Sequence, residues 1–194
     1  MASAARAGLY GEEATKALLD RVLTQVDFDR PGRNDLFVRH DLRVPGAKGA
    51  HRDVNVDHIA VRGRDVLIID SKVWKSGFYW GTSGIGIRRG WSRLPHVERQ
   101  SIYPALRQWQ SYLDSSVRGR RVRVRGMLVV HPPRDAAPPS LWAVRLDEGV
   151  GLFTAEAAEK WLVRFASSGL TRKPPPADLL TAVDRQLIGA SRRR

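Results

Sequence analysis

The sequence predicts an α/β protein in which a mixed sheet of four to five strands is flanked by helices. Three observations predict it. An amphipathic stretch opens the chain, three strand-like segments with short connections follow between residues 36 and 72, and a helical stretch then leads to a further apolar strand ending near Val130. Consecutive short-linked strands pair most directly as an antiparallel meander, and a helix after the third can cross over to place a fourth beside it. The order is α-β-β-β-α-β, followed by one short strand and two helices.

Residues 2–26 carry apolar side chains at Leu9, Ala14, Leu18, Leu19, Val22 and Leu23 in helical spacing. Gly8 and Gly11 are poor interior residues, so the helix begins near Gly11 or the glycines allow close packing. At 100° per residue Glu12 lies within about 20° of Leu19 and Leu23, so it faces inward, whereas Glu13 points to solvent. Residues 36–44 alternate loosely and end at Pro45-Gly46. Residues 54–61 form the next strand, with Asp57, Ile59 and Val61 on one face and Val56, His58 and Ala60 on the other. After the turn at Arg62-Gly63-Arg64-Asp65, the run Val66-Leu67-Ile68-Ile69 is continuously apolar, the mark of a strand covered on both sides. Asp70 and Lys72 extend it on a single face.

Residues 73–94 hold five aromatics and five glycines at irregular spacing, which predicts an ordered segment with at most a short hairpin. Residues 95–113 are a helix candidate, interrupted or kinked at Pro104. In residues 121–130 the first half alternates, with Arg121, Arg123 and Arg125 opposite Val122 and Val124, and the second half reads as a buried strand. Residues 141–146 form a short strand. Thr154 is an N-cap for a helix to about Ala166, and residues 177–188 form a last helix beyond three prolines. The 194 residues are expected to form one domain over 1–190, with its core at 8–147 and a helical extension at 154–190, before a basic tail at 191–194.

Thirty-three Lys and Arg stand against 20 Asp and Glu, a formal net charge of +13 that attracts polyanions. No run approaches a membrane span, and no apolar leader opens the chain, so a cytoplasmic protein with no membrane partner is expected. The absence of cysteine excludes disulfides and thiolate-bound zinc. His40, His51, His96 and His131 show no paired ligand spacing.

A hairpin centred between Gly63 and Arg64 sets Asp57 opposite Asp70. Two such carboxylates repel one another unless a proton or cation joins them, and an all-oxygen set suits Mg²⁺ or Mn²⁺. Lys72, one pleat beyond Asp70, is placed to hold or polarise a water and offset phosphate charge. Glu12 can bind the metal or orient its surroundings. His58 follows Asp57 but points to the other face, so it reads as a packing or hydrogen-bonding residue. The plainer account is that Asp57 and Asp70 form salt bridges with Arg or Lys at strand ends.

Gly8, Gly11 and Glu12 on a first helix, then Asp57-His58, then a hydrophobic strand ending in Asp70-x-Lys72, resemble the nuclease-related domain family, NERD, within the PD-(D/E)XK superfamily. The resemblance covers residues 8–115 and implies a restriction-endonuclease-like core. Asp70 stands where that family more often has Glu. The resemblance further implies Mg²⁺-dependent hydrolysis of phosphodiesters in DNA, with Asp57, Asp70 and the carbonyl of Ser71 as metal ligands and Lys72 at the water. A supporting Gln on the following helix would be Gln100. RNA is an alternative polyanion, and double-strand cutting by a single-site protein implies a homodimer or a repeated encounter.

Lys75, Arg88, Arg89 and Arg93 lie in the aromatic segment that starts at the mouth of this site, where Trp80 or Trp91 can stack on a base. Phe78, Tyr79 and Trp80 can equally cover the core. Arg121, Arg123 and Arg125 form either a track for a DNA backbone or a charged edge that resists aggregation. Trp109 reads as core. Two other classes compete with an enzyme: a catalytically inactive nucleic-acid-binding module on the same fold, and a scaffold whose charge is incidental.

Overall fold

The computed structural model describes residues 2–29, 36–46, 55–82, 86–94, 102–119, 121–147, 149–167 and 174–188. Helix α1 (Ala2–Asp29) leads into β1 (Leu36–Arg43), β2 (Asn55–Arg62) and β3 (Asp65–Val73). Three short strands follow, β4 (Phe78–Thr82), β5 (Gly86–Arg89) and β6 (Ser92–Arg93), then α2 (Ile102–Ser116) and β7 (Arg123–His131). The chain continues through β8 (Ser140–Arg145), β9 (Val150–Thr154), α3 (Ala155–Ser167) and α4 (Ala177–Asp184). The expected α-β-β-β-α-β order is present, with the meander β4–β6 inserted before α2.

Two sheets form. The larger has the order β1-β2-β3-β7-β9, antiparallel from β1 to β3 and parallel from β3 to β9. Its central strand is the apolar run of β3. Leu67 and Ile69 lie under Leu18, Leu19 and Val22 of α1 and Ala158 and Leu162 of α3. Val66 and Ile68 lie against Trp109 and Leu113 of α2 and Leu179 and Val183 of α4. Burial on both faces is why this strand carries no alternation.

The second sheet has the order β6-β5-β4-β8. The segment read as largely irregular is thus a three-stranded meander, completed when β8 pairs in parallel with β4. Its inner face, Tyr79, Ile87, Leu141 and Val144, packs with Trp74 on Val130 of β7. Gly81 has φ +119°, and a Cβ there would meet the Gly86 carbonyl oxygen at 2.1 Å, so the β4–β5 approach requires glycine.

Two local expectations change, and one alternative is decided. Gly11 lies within α1, where its bare Cα lets the helix approach β3, the close packing that was one of the two expected alternatives. A Cβ there would come 3.1 Å from Val73 Cγ2 and 3.6 Å from Ser71 Cβ. Pro104 sits in the first turn of α2, where its missing N–H has no intrahelical acceptor, so it does not interrupt the described helix. Val150–Thr154 is a strand that the sequence pattern did not separate from the turn before α3. Thr154 ends it and caps the helix, accepting the Ala157 N–H at 3.4 Å. The basic tail and the segment 95–101 lie outside the described residues.

Candidate active site

The β2–β3 hairpin has the register expected of a turn between Gly63 and Arg64, running from Arg62 opposite Asp65 to His58 opposite Ile69. The ladder then stops, one pair short of Asp57 and Asp70. In place of a further backbone bond, the Ser71 N–H donates to Asp57 Oδ2 at 2.8 Å. The side chain of Asp57 is therefore held between the ends of two strands that stop pairing at this point.

Four charged groups gather there. Burial and the neighbouring Asp70 push the Asp57 carboxyl up to about 7, against the pull of the Ser71 N–H, with Glu12 adding to the rise and Lys72 opposing it. Burial also raises the Glu12 carboxyl, assisted by Asp41 and Asp70 and opposed by Lys72. The Lys72 ammonium lies 2.5 Å from Asp70 Oδ2, a half-buried ion pair. That oxygen is buried and has no partner at hydrogen-bond geometry. Crowded carboxylates that favour a proton are the electrostatic condition under which a cation also binds.

Asp41 is a carboxylate the sequence pattern did not single out. It stands in β1 between His40, which faces His58, and Leu42, which faces Val56, and so occupies the position beside Asp57. Its φ of 56° breaks the alternation of the strand. Leu42 and Val56 then pack with the α2 and α4 core, although Val56 was expected to share a face with Ala60. An Asp in a strand tolerates this backbone better than a β-branched residue, which is the only sequence signal it carries.

Behind the carboxylates runs a buried polar chain. Ser71 Oγ donates to Thr15 Oγ1 at 2.9 Å, and Thr15 Oγ1 meets His131 Nε2 at 2.7 Å. It ties α1, β3 and β7 together directly beneath the Ser71 amide that holds Asp57. Neither Thr15 nor His131 was legible as a site residue, because their partners are 56 and 116 residues distant in sequence. His58 is buried, with Nδ1 2.8 Å from Nδ1 of His40. Burial and then His40 hold His58 down to about 3, so it is neutral and serves packing.

The remaining candidates divide. Lys75 is exposed just past β3, Arg88 and Arg89 are half-buried on β5, and Arg93 is exposed on β6. Arg123 and Arg125 lie at the far end of β7 and both pair with Asp65, at 2.8 and 3.4 Å. Arg121 is 4.0 Å from Asp114. Since Arg125 faces Leu67, three residues before Asp70, it sits roughly 10 Å along the strand from the carboxylates. Gln100 lies outside the described residues. Trp109 is fully buried, as expected.

Among the described residues, no group of three or more His, Cys, Asp or Glu side chains is arranged to hold a metal ion. A pair of carboxylates still matches the needs of Mg²⁺, which keeps several waters and binds through one or two carboxylates and substrate oxygens. The buried Asp70 Oδ2 and the raised Asp57 carboxyl fit a hard cation in chemical kind.

Helix, three-stranded meander, crossover helix and parallel strand, with acidic groups at the end of the hairpin, make a nuclease-like fold. The family model described as the nuclease-related domain, NERD, matches residues 7–131, from the first helix to the end of β7. The chain belongs to this family, consistent with the PD-(D/E)XK superfamily. Comparison with curated proteins and with solved structures finds no match. No described helix is long and apolar enough to cross a membrane.

Proposed function

We propose that this chain binds DNA and that the centre formed by Glu12, Asp57, Asp70 and Lys72 hydrolyses a phosphodiester bond with the help of one Mg²⁺ or Mn²⁺. The observation that carries the reading is the gathering of these acidic groups around Lys72 where the β2–β3 ladder ends. Adjacent carboxylates repel a phosphate, so a protein that only binds nucleic acid gains nothing from them. Asp57 and Asp70 would hold the ion, with the Ser71 carbonyl as a third oxygen. Bound there, the ion would supply Lewis-acid stabilisation of charge on the phosphoryl oxygens.

The chain's own groups have distinct tasks. The Ser71 N–H fixes the Asp57 carboxylate, and the Ser71–Thr15–His131 chain fixes Ser71. Lys72, held beside Asp70 by its ion pair, would orient the attacking water and offset phosphate charge. Glu12 reaches the same space from α1 and accepts a hydrogen bond from that water. Gln100, which the family resemblance implies as a supporting residue, would assist the metal or the phosphate.

A second reading is a module of the same fold that binds nucleic acid without cutting it. Two observations favour it. The described residues hold no cluster of three metal-binding side chains, and Lys72 already neutralises Asp70. These, with the family match and the charge of +13, support nucleic-acid binding more firmly than hydrolysis. The deciding experiment incubates supercoiled, linear and single-stranded DNA with Mg²⁺, Mn²⁺ or chelator, using wild type and Lys72→Ala. Cleavage that needs metal and is lost in the variant supports the catalytic reading. Metal-dependent cleavage indifferent to Lys72→Ala removes this centre from consideration. Binding without cleavage under every metal selects the binding module.

A further inference from the structure

The large apolar side chains exposed among the described residues are Leu9, Phe78, Trp91 and Trp142, and three of these four are aromatics on the small sheet. Trp142 is 74% exposed on β8 and lies against Phe78, 43% exposed on β4, with ring centroids 5.6 Å apart. Two residues along β4, Trp80 donates Nε1–H to the Gly90 carbonyl at 2.8 Å and carries the Arg88 guanidinium over its ring at 5.5 Å. Trp91, 91% exposed, tops the β5–β6 turn, and its carbonyl accepts Arg88 Nη1 at 3.5 Å. Arg145 is anchored on the carbonyls of Trp142 and Val144 at 2.9 and 3.1 Å. No carboxylate meets Arg88 or Arg145 among the described residues.

A folded chain has no internal reason to leave this set outside. The inner face of the same sheet is fully used, with Tyr79 stacked on Trp74 at 5.1 Å and Ile87 buried. A tryptophan this exposed forgoes its burial energy, and several grouped on one sheet mark a binding surface rather than scattered apolar surface. Aromatic faces interleaved with guanidinium groups suit one chemical class, the unpaired base with its phosphate, because every base offers a π-face and every nucleotide a negative charge. A second copy of this chain is disfavoured as occupant, since a symmetric contact would bring two guanidinium-bearing faces together with no carboxylate between them.

We propose that the outer face of the small sheet, Phe78, Trp80, Trp91 and Trp142 with Arg88 and Arg145, is a base-stacking platform for single-stranded DNA. This rests on the nucleic-acid reading above and specifies its substrate: a strand whose bases are free of their complement. Along the chain the platform follows the carboxylates closely, since β3 leads from Lys72 through Val73 and Trp74 to β4 within a few residues. At 5.6 Å and a 44° tilt, the Phe78 and Trp142 rings leave no slot for an inserted base, so bases lie on the open face of Trp142. A single strand offers such a surface its bases along its whole length, whereas a duplex presents its bases only at its ends.

The test measures binding in chelator, so that cutting plays no part. Labelled oligodeoxythymidylate of about 20 nucleotides is compared with a duplex of equal length, with an abasic strand of the same phosphate count and with oligouridylate. Wild type is expected to bind oligodeoxythymidylate tightest, with quenching of tryptophan fluorescence, and the abasic strand on the order of tenfold more weakly. Trp142→Ala should bring thymidylate binding down toward the abasic level while leaving abasic binding unchanged, and Trp142→Phe should restore most of the loss. Leu9→Ala, an exposed apolar change elsewhere, should have no effect. Equal binding of abasic and thymidylate strands, or indifference to Trp142→Ala, overturns the platform and leaves the DNA reading standing. Preference for uridylate or for duplex overturns the assignment to single-stranded DNA. Failure to bind any of the probes overturns the platform together with the nucleic-acid reading.

Discussion

The Asp57 carboxylate accepts the backbone N–H of Ser71 at 2.8 Å, in the place where the next rung of the β2–β3 ladder would form. This one bond joins fold to chemistry. It takes the place of a backbone bond at the end of the hairpin and holds an acidic oxygen beside Asp70.

Asp57 makes stability fall as pH rises. Its carboxyl is raised in the folded protein from a usual value of 3.8 to about 7, so between those limits the folded state binds the proton that the unfolded chain releases. The stabilisation is fully present below about 4 and is lost as pH passes 7. Asp57→Asn should remove that dependence, which amounts to on the order of a few kcal/mol in metal-free buffer. Chemical denaturation at pH 5 and pH 8, wild type against variant, measures it. An unchanged pH slope in the variant would contradict the assignment.

A divalent cation should reverse this loss. At the proposed centre Mg²⁺ would compete with the proton for the same oxygens, so the rise in Tm on adding Mg²⁺ should be larger at pH 8 than at pH 6. Asp70→Asn should abolish the rise at both. Thermal melts with Mg²⁺ and with chelator report the result without any activity being required.

Lys72→Ala should lower DNA cleavage by a hundredfold or more, on the order of 3 kcal/mol of transition-state stabilisation, while DNA affinity changes by less than about threefold. Loss of affinity in parallel with rate would make Lys72 a phosphate anchor only. Lys72→Arg should keep the affinity and still fail to restore the rate, since a guanidinium stays protonated and presents a different geometry to the water.

Thr15→Val should destabilise the protein by about 1–3 kcal/mol, because Ser71 Oγ and His131 Nε2 lose their shared partner inside the core. The isosteric change keeps the packing, so the cost isolates the polar chain. Thr15→Ser should recover most of it. Urea denaturation of the three proteins gives the comparison.

Gly81→Ala should cost several kcal/mol and loosen the small sheet, since the new Cβ would collide with the Gly86 carbonyl and force a backbone L side chains avoid. Near-ultraviolet circular dichroism, dominated by the tryptophans there, should weaken before the helical signal does.

The charge, the doubly covered β3 and the hairpin register were legible in the sequence for physical reasons. Net charge adds without reference to structure, an uninterrupted apolar run is buried on both faces, and a four-residue turn leaves the following pairs no freedom. Glu12 was placed inward by helix phase alone. The meander β4–β6 was harder to read, because Gly77, Gly81, Gly86 and Gly90 obscure a period of two and its last strand comes from β8, about 60 residues on. Asp41, Thr15 and His131 had no sequence signal sufficient to single them out, since each acts through partners distant along the chain.

By itself the sequence determined that Asp57 and Asp70 lie at the same end of one hairpin, because period and register are local properties of strands. Only the tertiary structure decided that the hairpin stops pairing there, that Lys72 turns onto Asp70, and that Asp41 and Glu12 add their charge from β1 and α1. It also decided which aromatics are core and which face outward. Tyr79 and Trp142 differ little as sequence, yet one packs on Trp74 and the other stands in water, because only the packing of the small sheet against β7 distinguishes its two faces.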